Sequence, residues 1–329
     1  MRIKETIRQR KSFLATTLFL LCCTLCMAGE PYSLSTVWPK GSKKQLCFFW
    51  ISDSGRNGFY QQKKVGEKMG ELAQTVMPSF VIDSGDTFHG TGIESVDDPQ
   101  WVSGFENIYP HPDLFCYWYP VMGNHEYDGN SQAVMDYSHK SRRWKMPARY
   151  YTKVMRLDSA NTLRLVFIDT TPLQEKYRHN PEKYPDVAAQ DADRQLAWID
   201  STLTASHETW TIVVGHHQIY SNNSLGYGDN PDLVKRLDPI LRKHHVDFYF
   251  SGHCHTFQHI RKPGTEMDYI INSSASLARP VDDKAGEGTL FCSPAEGFIA
   301  CALTPEELHF WFINYEGYVI YEFGKKRHE

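Results

Sequence analysis

The chain lacks a basic excess: 35 Lys and Arg stand against 39 Asp and Glu, a formal net charge of -4, with a pI near 6.4. A protein that neutralises a polymeric phosphate backbone needs the opposite balance, which excludes nucleic acid as a polymeric partner. A small anionic substrate stays open, because metal ions can create a local positive field inside an acidic protein. Membrane-length apolar runs are also missing. The run Phe13 to Leu25 follows Arg2, Lys4, Arg8, Arg10 and Lys11 and precedes Cys26-Met27-Ala28. It is shorter than the roughly 20 residues a span needs and has the layout of a cleavable secretory signal over residues 1–28. The expectation is a secreted or periplasmic protein with no stable membrane span. A lipid anchor is disfavoured, since none of Cys22, Cys23 and Cys26 follows the small residue such a site wants.

Cysteine is sparse once the signal is set aside. Cys47, Cys116, Cys254, Cys292 and Cys301 remain, an odd set with no CxxC pair. Cys292 and Cys301 occupy consecutive strand-like runs and can bridge in an oxidising compartment; buried thiols are the other reading. No repeat, low-complexity tract or Pro/Gly linker divides the chain. A leader (29–43), a single domain over residues 44–325 and a short tail (326–329) are therefore expected. Nothing in the sequence speaks to oligomeric state.

What the chain does have is one repeated pattern. An apolar run of strand length stops abruptly at Asp, Asn, His or Gly: Leu46 to Ile51 before Asp53, Phe80 to Ile82 before Asp86, Tyr119 to Met122 before Asn124, Leu163 to Ile168 before Asp169, Thr211 to Val214 before His216, Val246 to Phe250 before His253. Continuous apolar runs fit strands buried on both faces. Helical spacing separates several of them: Val65, Met69, Leu72, Ala73 and Val76; Leu196, Ile199 and Leu203 behind Asp191 and Asp193; and Leu233 to Leu241 behind the cap Asn230, with a kink at Pro239. Strands alternating with helices predict an α/β fold whose ligands gather beyond the strand ends. From Leu290 onward the alternation stops, and Phe298 to Leu303, Leu308 to Ile313 and Tyr318 to Phe323 read as antiparallel strands of a second sheet packed on the first.

The polar strand ends collect Asp53, Asp86, His89, Asn124, His125, His216, His253 and His255. Hard oxygen donors mixed with imidazoles suit Fe, Zn or Mn better than Ca or Mg alone. His253 and His255 are two apart, so in extended chain both point the same way and Cys254 points away. The other histidines, including His111, His139, His207, His244, His245 and His259, have no ligand-like placement.

In order, Asp53-Ser54-Gly55, Gly85-Asp86-Thr87-Phe88-His89, Gly123-Asn124-His125-Glu126, Gly215-His216 and Gly252-His253-Cys254-His255 resemble the five blocks of the calcineurin-like metallophosphoesterases. Arg142 to Tyr151 and Gln195-Leu196-Ala197-Trp198 resemble segments of the small, tartrate-resistant purple acid phosphatases. The similarity runs from about Lys44 to about Lys325. It implies a four-layer α/β/β/α sandwich of two mixed sheets. It also implies two metal ions: Asp53, Asp86, His89 and His255 on the first, and Asp86, Asn124, His216 and His253 on the second, with Asp86 bridging. The implied activity is phosphomonoester hydrolysis by a metal-bound hydroxide on a small phosphate ester, with Asn124 and His125 facing substrate and His125 protonating the leaving group. Glu126 is expected either to orient His125 or to serve as a helix-start carboxylate.

Two departures matter. Where the purple enzymes have an iron-binding tyrosine, this chain has His89, a neutral ligand, which implies two divalent ions and no tyrosinate colour. Also missing is the second histidine that relatives carry after the fourth block; His217, Tyr220, Asn222 and Tyr227 are the residues available in its place. The same metal core also suits a phosphodiesterase or nucleotide phosphatase, and the two departures leave room for a non-catalytic binding protein on a phosphatase scaffold.

Overall fold

The computed structural model describes residues 32–37, 45–222, 226–272, 275–282 and 285–327. The signal-like segment and most of the leader lie outside them. Strands are numbered in chain order: β1 (Tyr32–Ser33), β2 (Leu46–Ile51), β3 (Phe80–Asp83), β4 (Tyr117–Pro120), β5 (Tyr151–Arg156), β6 (Thr162–Phe167), β7 (Trp210–Val214), β8 (Phe248–Ser251), β9 (Phe257–Ile260), β10 (Asp268–Asn272), β11 (Thr289–Ser293), β12 (Gly297–Leu303), β13 (Glu307–Asn314) and β14 (Tyr318–Lys326). Among the described residues they form two seven-stranded sheets, ordered β1-β14-β13-β12-β2-β3-β4 and β11-β9-β10-β8-β7-β6-β5.

Both sheets are mixed. In the first, β2, β3 and β4 run parallel while β12 pairs antiparallel with β2. In the second, β6, β7, β8 and β10 run parallel, flanked by antiparallel β5 and β9. The sheets pack face to face through aromatic rings: Trp50 stacks on Phe250 at 4.1 Å and Phe248 meets Phe310 at 5.0 Å. Helix Gln62–Val76 buries Val65, Met69, Leu72, Ala73 and Val76 outside the first sheet. Helix Ala192–Thr204, capped by Asp191 through Arg194 N, places Ile199 and Leu203 in a cluster with Val213 and Tyr249 outside the second. The outcome is the expected four-layer α/β/β/α sandwich. The continuous runs are explained by helices on one face of each strand and the facing sheet on the other; Phe48 to Ile51 are fully buried.

Several expectations are corrected. Strands β12, β13 and β14 do not make a second sheet. They extend the first, because β12 registers against β2 from Leu303↔Leu46 to Ile299↔Trp50; the second sheet is built from the middle of the chain. Strand β4 ends at Pro120, leaving Val121 and Met122 in the loop. The Asn230 helix is two short helices, Pro231–Arg236 and Asp238–Lys243, broken at Leu237 ahead of Pro239. Cys292 and Cys301 fall in different sheets and both are thiols. Asn222 and Asn272 are both buried, and the Asn272 amide donates to Trp50 O.

Segment Arg142 to Tyr151 finds its structural role here. Arg143, 1% exposed, donates to Glu106 Oε2 at 2.7 Å and to Tyr109 O at 2.6 Å, with Phe105 and Phe115 rings 4.5 and 4.7 Å from its guanidinium carbon. Removing one member of a buried ion pair strands its partners. Because Glu106 keeps some contact with water, Arg143→Ala is expected to lower the unfolding free energy by about 3 kcal/mol, near the low end of that class. Denaturant unfolding checks this, and a loss below about 1 kcal/mol, the range of surface pairs, overturns the assignment.

Candidate metal centre

Five loops leave the C-terminal ends of β2, β3, β4, β7 and β8 and meet at one edge of the sandwich, where both sheets contribute. Backbone strain marks the place: Asp53, Asp86, His253 and His255 have φ values of 52°, 54°, 70° and 56°. Non-glycine residues hold such conformations only where neighbours enforce them. Asp53 N donates to Gly85 O at 2.9 Å, Asp86 N to Glu126 Oε2 at 3.0 Å, and His253 N to Asp53 Oδ2 at 2.9 Å, while Arg279 N donates to His255 O at 2.8 Å. Gly85 itself has φ +94°, and a Cβ there would lie 2.7 Å from Gly123 N.

The imidazoles share one arrangement. His89 Nδ1 donates to Gly55 O at 3.0 Å, His216 Nδ1 to Ser84 O at 2.9 Å and His255 Nδ1 to Leu277 O at 2.6 Å. A ring that gives its Nδ1 proton to a carbonyl presents the Nε2 lone pair on its other side. Those Nε2 atoms face carboxylates: His89 lies 3.7 Å from Asp86 Oδ2, His216 lies 3.2 Å from the same oxygen, and His255 lies 3.2 Å from Asp53 Oδ1. Acceptor faces acceptor, which only a cation resolves. The chain has two ways to supply one, a proton or a metal ion.

The electrostatics of His216 favour the proton. Burial by itself would lower its pKa, but Asp86 and Asp53 outweigh burial and push it up to about 10. His89 goes the other way: burial lowers it to about 3 against the pull of Asp86 and Asp53, so its ring is neutral. Its Nε2 is buried with no hydrogen-bond partner among the described residues, and so is Asn124 Oδ1. Burial would likewise raise Asp53 and Asp86, yet the imidazoles of His255 and His216 respectively lead in holding both well below the ordinary carboxylate range. Donor atoms of Asp53, His89 and His255 lie within 4.8 Å of one another, as do those of Asp53, Asp86 and His216, of Asp86, His89 and His125, and of His216, His217 and His253. Orphaned donors, depressed carboxylates and Nδ1-anchored rings are what a divalent ion requires, so the residues fit the group.

Other expected site residues are arranged in ways the sequence did not show. His253 and His255 do not lie in extended chain; they sit in the turn before β9, and their left-handed backbone sends one ring toward His216, Nδ1 to Nε2 at 3.2 Å, and the other toward Asp53. Cys254 is turned away toward Ser221. Glu126 does not orient His125. Its carboxylate accepts from Asp86 N, Gly123 N and Phe88 N at 3.0, 2.7 and 3.2 Å, and burial together with Asp86 raises its pKa to about 7. The residue that holds His125 is Asp128, whose Oδ2 lies 2.8 Å from Nδ1, while His125 N donates to Asp86 Oδ1 at 2.9 Å. A histidine followed three residues later by Asp in a tight turn was the available signal.

His217 is fully buried, with Nδ1 2.9 Å from Thr170 Oγ1 and Nε2 3.1 Å from Tyr177 OH; its ring packs 4.3 Å from His253. Tyr220 bonds Asp238, away from the site. Tyr227 stands edge-on to His253 at 5.1 Å, with the Arg279 guanidinium 4.5 Å from its ring centre. Arg279 lies in an irregular loop and gave no sequence signal. Segment Gln195 to Trp198 acts from behind: the Gln195 amide bonds Asp169 N and O, both at 2.9 Å, and Asp169 accepts from the Tyr127 hydroxyl.

Residues 48–257 match the Calcineurin-like phosphoesterase family. The chain is 32% identical to Purple acid phosphatase 7 of Arabidopsis thaliana, over 86% of each sequence. It is 30% identical to Tartrate-resistant acid phosphatase type 5 of Sus scrofa, over 74% of each. Among solved structures it resembles GAP50, the anchor in the inner membrane complex of Plasmodium, at 22% identity, TM-score 0.77, covering 87% of this chain and 90% of that one. A purple acid phosphatase from yellow lupin seeds superimposes with TM-score 0.67 at 14% identity, over 87% of this chain and 55% of the other. The chain therefore belongs to the calcineurin-like phosphoesterases, in the company of the purple and tartrate-resistant acid phosphatases.

Proposed function

We propose that the protein is a two-metal phosphomonoesterase, in which Asp53, Asp86, His89 and His255 hold one divalent ion and Asp86, Asn124, His216 and His253 the other. The observation that carries this reading is the set of imidazole Nε2 atoms aimed at Asp53 and Asp86 with their Nδ1 protons tied to carbonyls. Bound there, the ions supply Lewis acidity to a phosphoryl group and to a water. The chain's own residues do the rest. Two ligating carboxylates leave the loaded centre net positive, suited to an anionic ester. Asn124 and His125 stand at the substrate side, and His125, with its side chain about one-third exposed, is held by Asp128 so that Nε2 can deliver a proton to the departing alkoxide. With both its nitrogens engaged, His217 has a positioning role against His253. The signal-like N-terminus supports an extracytoplasmic place of action.

Chelation is expected to abolish phosphatase activity, and Fe, Zn or Mn to restore it; metal content with activity before and after chelation checks this. A protein that holds two ions and turns over no phosphate ester would sink the catalytic reading in favour of a binding role on the same fold. His125→Ala is expected to slow alkyl phosphates by about a hundredfold, within the usual reach of general acid catalysis, and nitrophenyl phosphate by far less, since nitrophenolate leaves without a proton. Equal losses on the two substrates overturn that role. The as-purified protein is expected to lack a tyrosinate-to-iron band, and His89→Tyr to introduce one with ferric iron; a visible spectrum decides, and a purple parent protein contradicts the neutral ligand.

A further inference from the structure

Under the phosphatase reading, on which this inference rests, the two sides of the metal-centre mouth have different tasks. On the His89 side an open cavity of about 630 Å³ is lined by Arg56, Phe59, Tyr60 and His89, and the His125 ring lies 4.6 Å from that of His89. On the His253 side stand two cations, each over a tyrosine. Lys176 Nζ is 4.6 Å from the centre of the Tyr177 ring, and the Arg279 guanidinium carbon is 4.5 Å from that of Tyr227. Both tyrosines converge on His253: the Tyr177 hydroxyl is 3.1 Å from His217 Nε2, the His217 ring packs 4.3 Å from His253, and Tyr227 meets His253 edge-on at 5.1 Å.

The cations are placed there by the backbone. Arg279 N donates to His255 O at 2.8 Å, two residues after Leu277 O takes His255 Nδ1 at 2.6 Å, and Ser276 Oγ donates to Asp53 O at 2.7 Å. Residues 276–279 are thus stitched to two of the proposed ligands. Lys176 sits in helix Glu175–Arg178, beyond the end of β6. Burial lowers the pKa of both His217 and His253, and the Lys176 charge adds to it. Neither cation has an ion pair among the described residues; Asp232, the acid that Lys176 feels, accepts from Glu175 N at 2.9 Å. This is also the side on which the chain lacks the second histidine of its relatives, and His217 cannot stand in, because Thr170 and Tyr177 occupy both its nitrogens. A guanidinium differs from an imidazole in one respect that matters: it keeps its proton. It can hold a phosphoryl oxygen but cannot protonate a leaving one.

We propose that Arg279 and Lys176 hold the non-bridging phosphoryl oxygens on the His253 side, while the organic half of the ester departs on the side of His125 and the cavity. Charge in phosphoryl transfer is spread over those oxygens, and charge-assisted hydrogen bonds are the strong ones. In the reaction a water oxygen bonds to phosphorus and the bond from phosphorus to the ester oxygen breaks. His125 gives that oxygen its proton. Water keeps one proton on the new orthophosphate and gives up the other, which balances the one His125 delivers. The two cations make and break no covalent bond.

The test measures kcat and KM on an alkyl phosphate and on nitrophenyl phosphate, with calorimetric titration of orthophosphate, for the metal-loaded parent, Arg279→Gln, Arg279→Lys and Lys176→Gln. Arg279→Gln is expected to lower kcat/KM and orthophosphate affinity about thirtyfold each, within the reach of a hydrogen bond to a charged group. The loss is the same on both esters, because the phosphoryl oxygens are common to them. Arg279→Lys restores part of it, and Lys176→Gln costs about tenfold in the same two readouts. Metal content is determined for each variant, and Lys176→Gln, which replaces an exposed side chain, decides alone if Arg279→Gln binds less metal. A larger loss on the alkyl phosphate, the pattern expected of His125→Ala, overturns the assignment. Unchanged kcat/KM and orthophosphate binding in both Gln variants overturn it too, and in either case the phosphatase reading stands. Arg279-dependent orthophosphate binding by a metal-loaded parent that hydrolyses neither ester keeps the anion site and overturns the phosphatase reading instead.

Discussion

Three backbone N–H groups, from Asp86, Phe88 and Gly123, converge on the buried carboxylate of Glu126. Two of them belong to the loop after β3 and one to the loop after β4. Left without this acceptor, each would be a buried donor costing on the order of 1 to 3 kcal/mol. The carboxylate therefore joins two loops that the sheet alone would leave independent. It also enforces the left-handed backbone of Asp86, the residue whose oxygens reach His216, His89 and the His125 amide.

The second tie crosses between the sheets. Asp53, at the end of β2, accepts from His253 N, at the end of β8, and His216 Nδ1 reaches back to Ser84 O. These bonds are few compared with the aromatic packing between the sheets, yet they decide where the rings point. Packing of Trp50 on Phe250 sets the spacing of the layers; the polar ties set the aim of the donors. Asp86 and Asp53 favour a proton on His216 against its burial, and an ion held by the same atoms would compete with it. The affinity of such an ion would weaken in acid, as for any ligand set that must lose protons to bind.

Much of this was legible in the sequence because burial on both faces leaves a plain trace. Strands β2, β3, β7 and β8 announced themselves as unbroken apolar runs, and each handed its last polar residues to the site. What was not legible follows from the same physics. An apolar strand does not encode its neighbour, so β12 to β14 read as a separate sheet until the pairing of β12 with β2 was seen. Spacing by two suggested that His253 and His255 share a face, but positive φ at both breaks the alternation, and no local pattern marks positive φ in histidine. For Glu126 the sequence offers two local readings, orienting its neighbour His125 or serving as a helix-start carboxylate; two of its three partners instead lie about forty residues away, a relation that only the folded chain creates.

The peptide of Gly55 joins the loop that carries His89 to the turn that begins at Arg56. Its carbonyl accepts from both His89 N, at 3.2 Å, and His89 Nδ1, at 3.0 Å, and the Arg56 turn begins at the next residue. A Cβ on Gly55 would lie 2.5 Å from Thr87 O, so the two loops touch through bare backbone. A phenol at position 89 has no nitrogen to give that carbonyl. Exchanging imidazole for tyrosine would therefore leave the Gly55 carbonyl with the backbone N–H of residue 89 as its remaining donor from that residue. The His89 ring and the turn that carries Phe59 and Tyr60 thus meet through one hydrogen-bond acceptor, which makes the identity of residue 89 a matter of cavity shape.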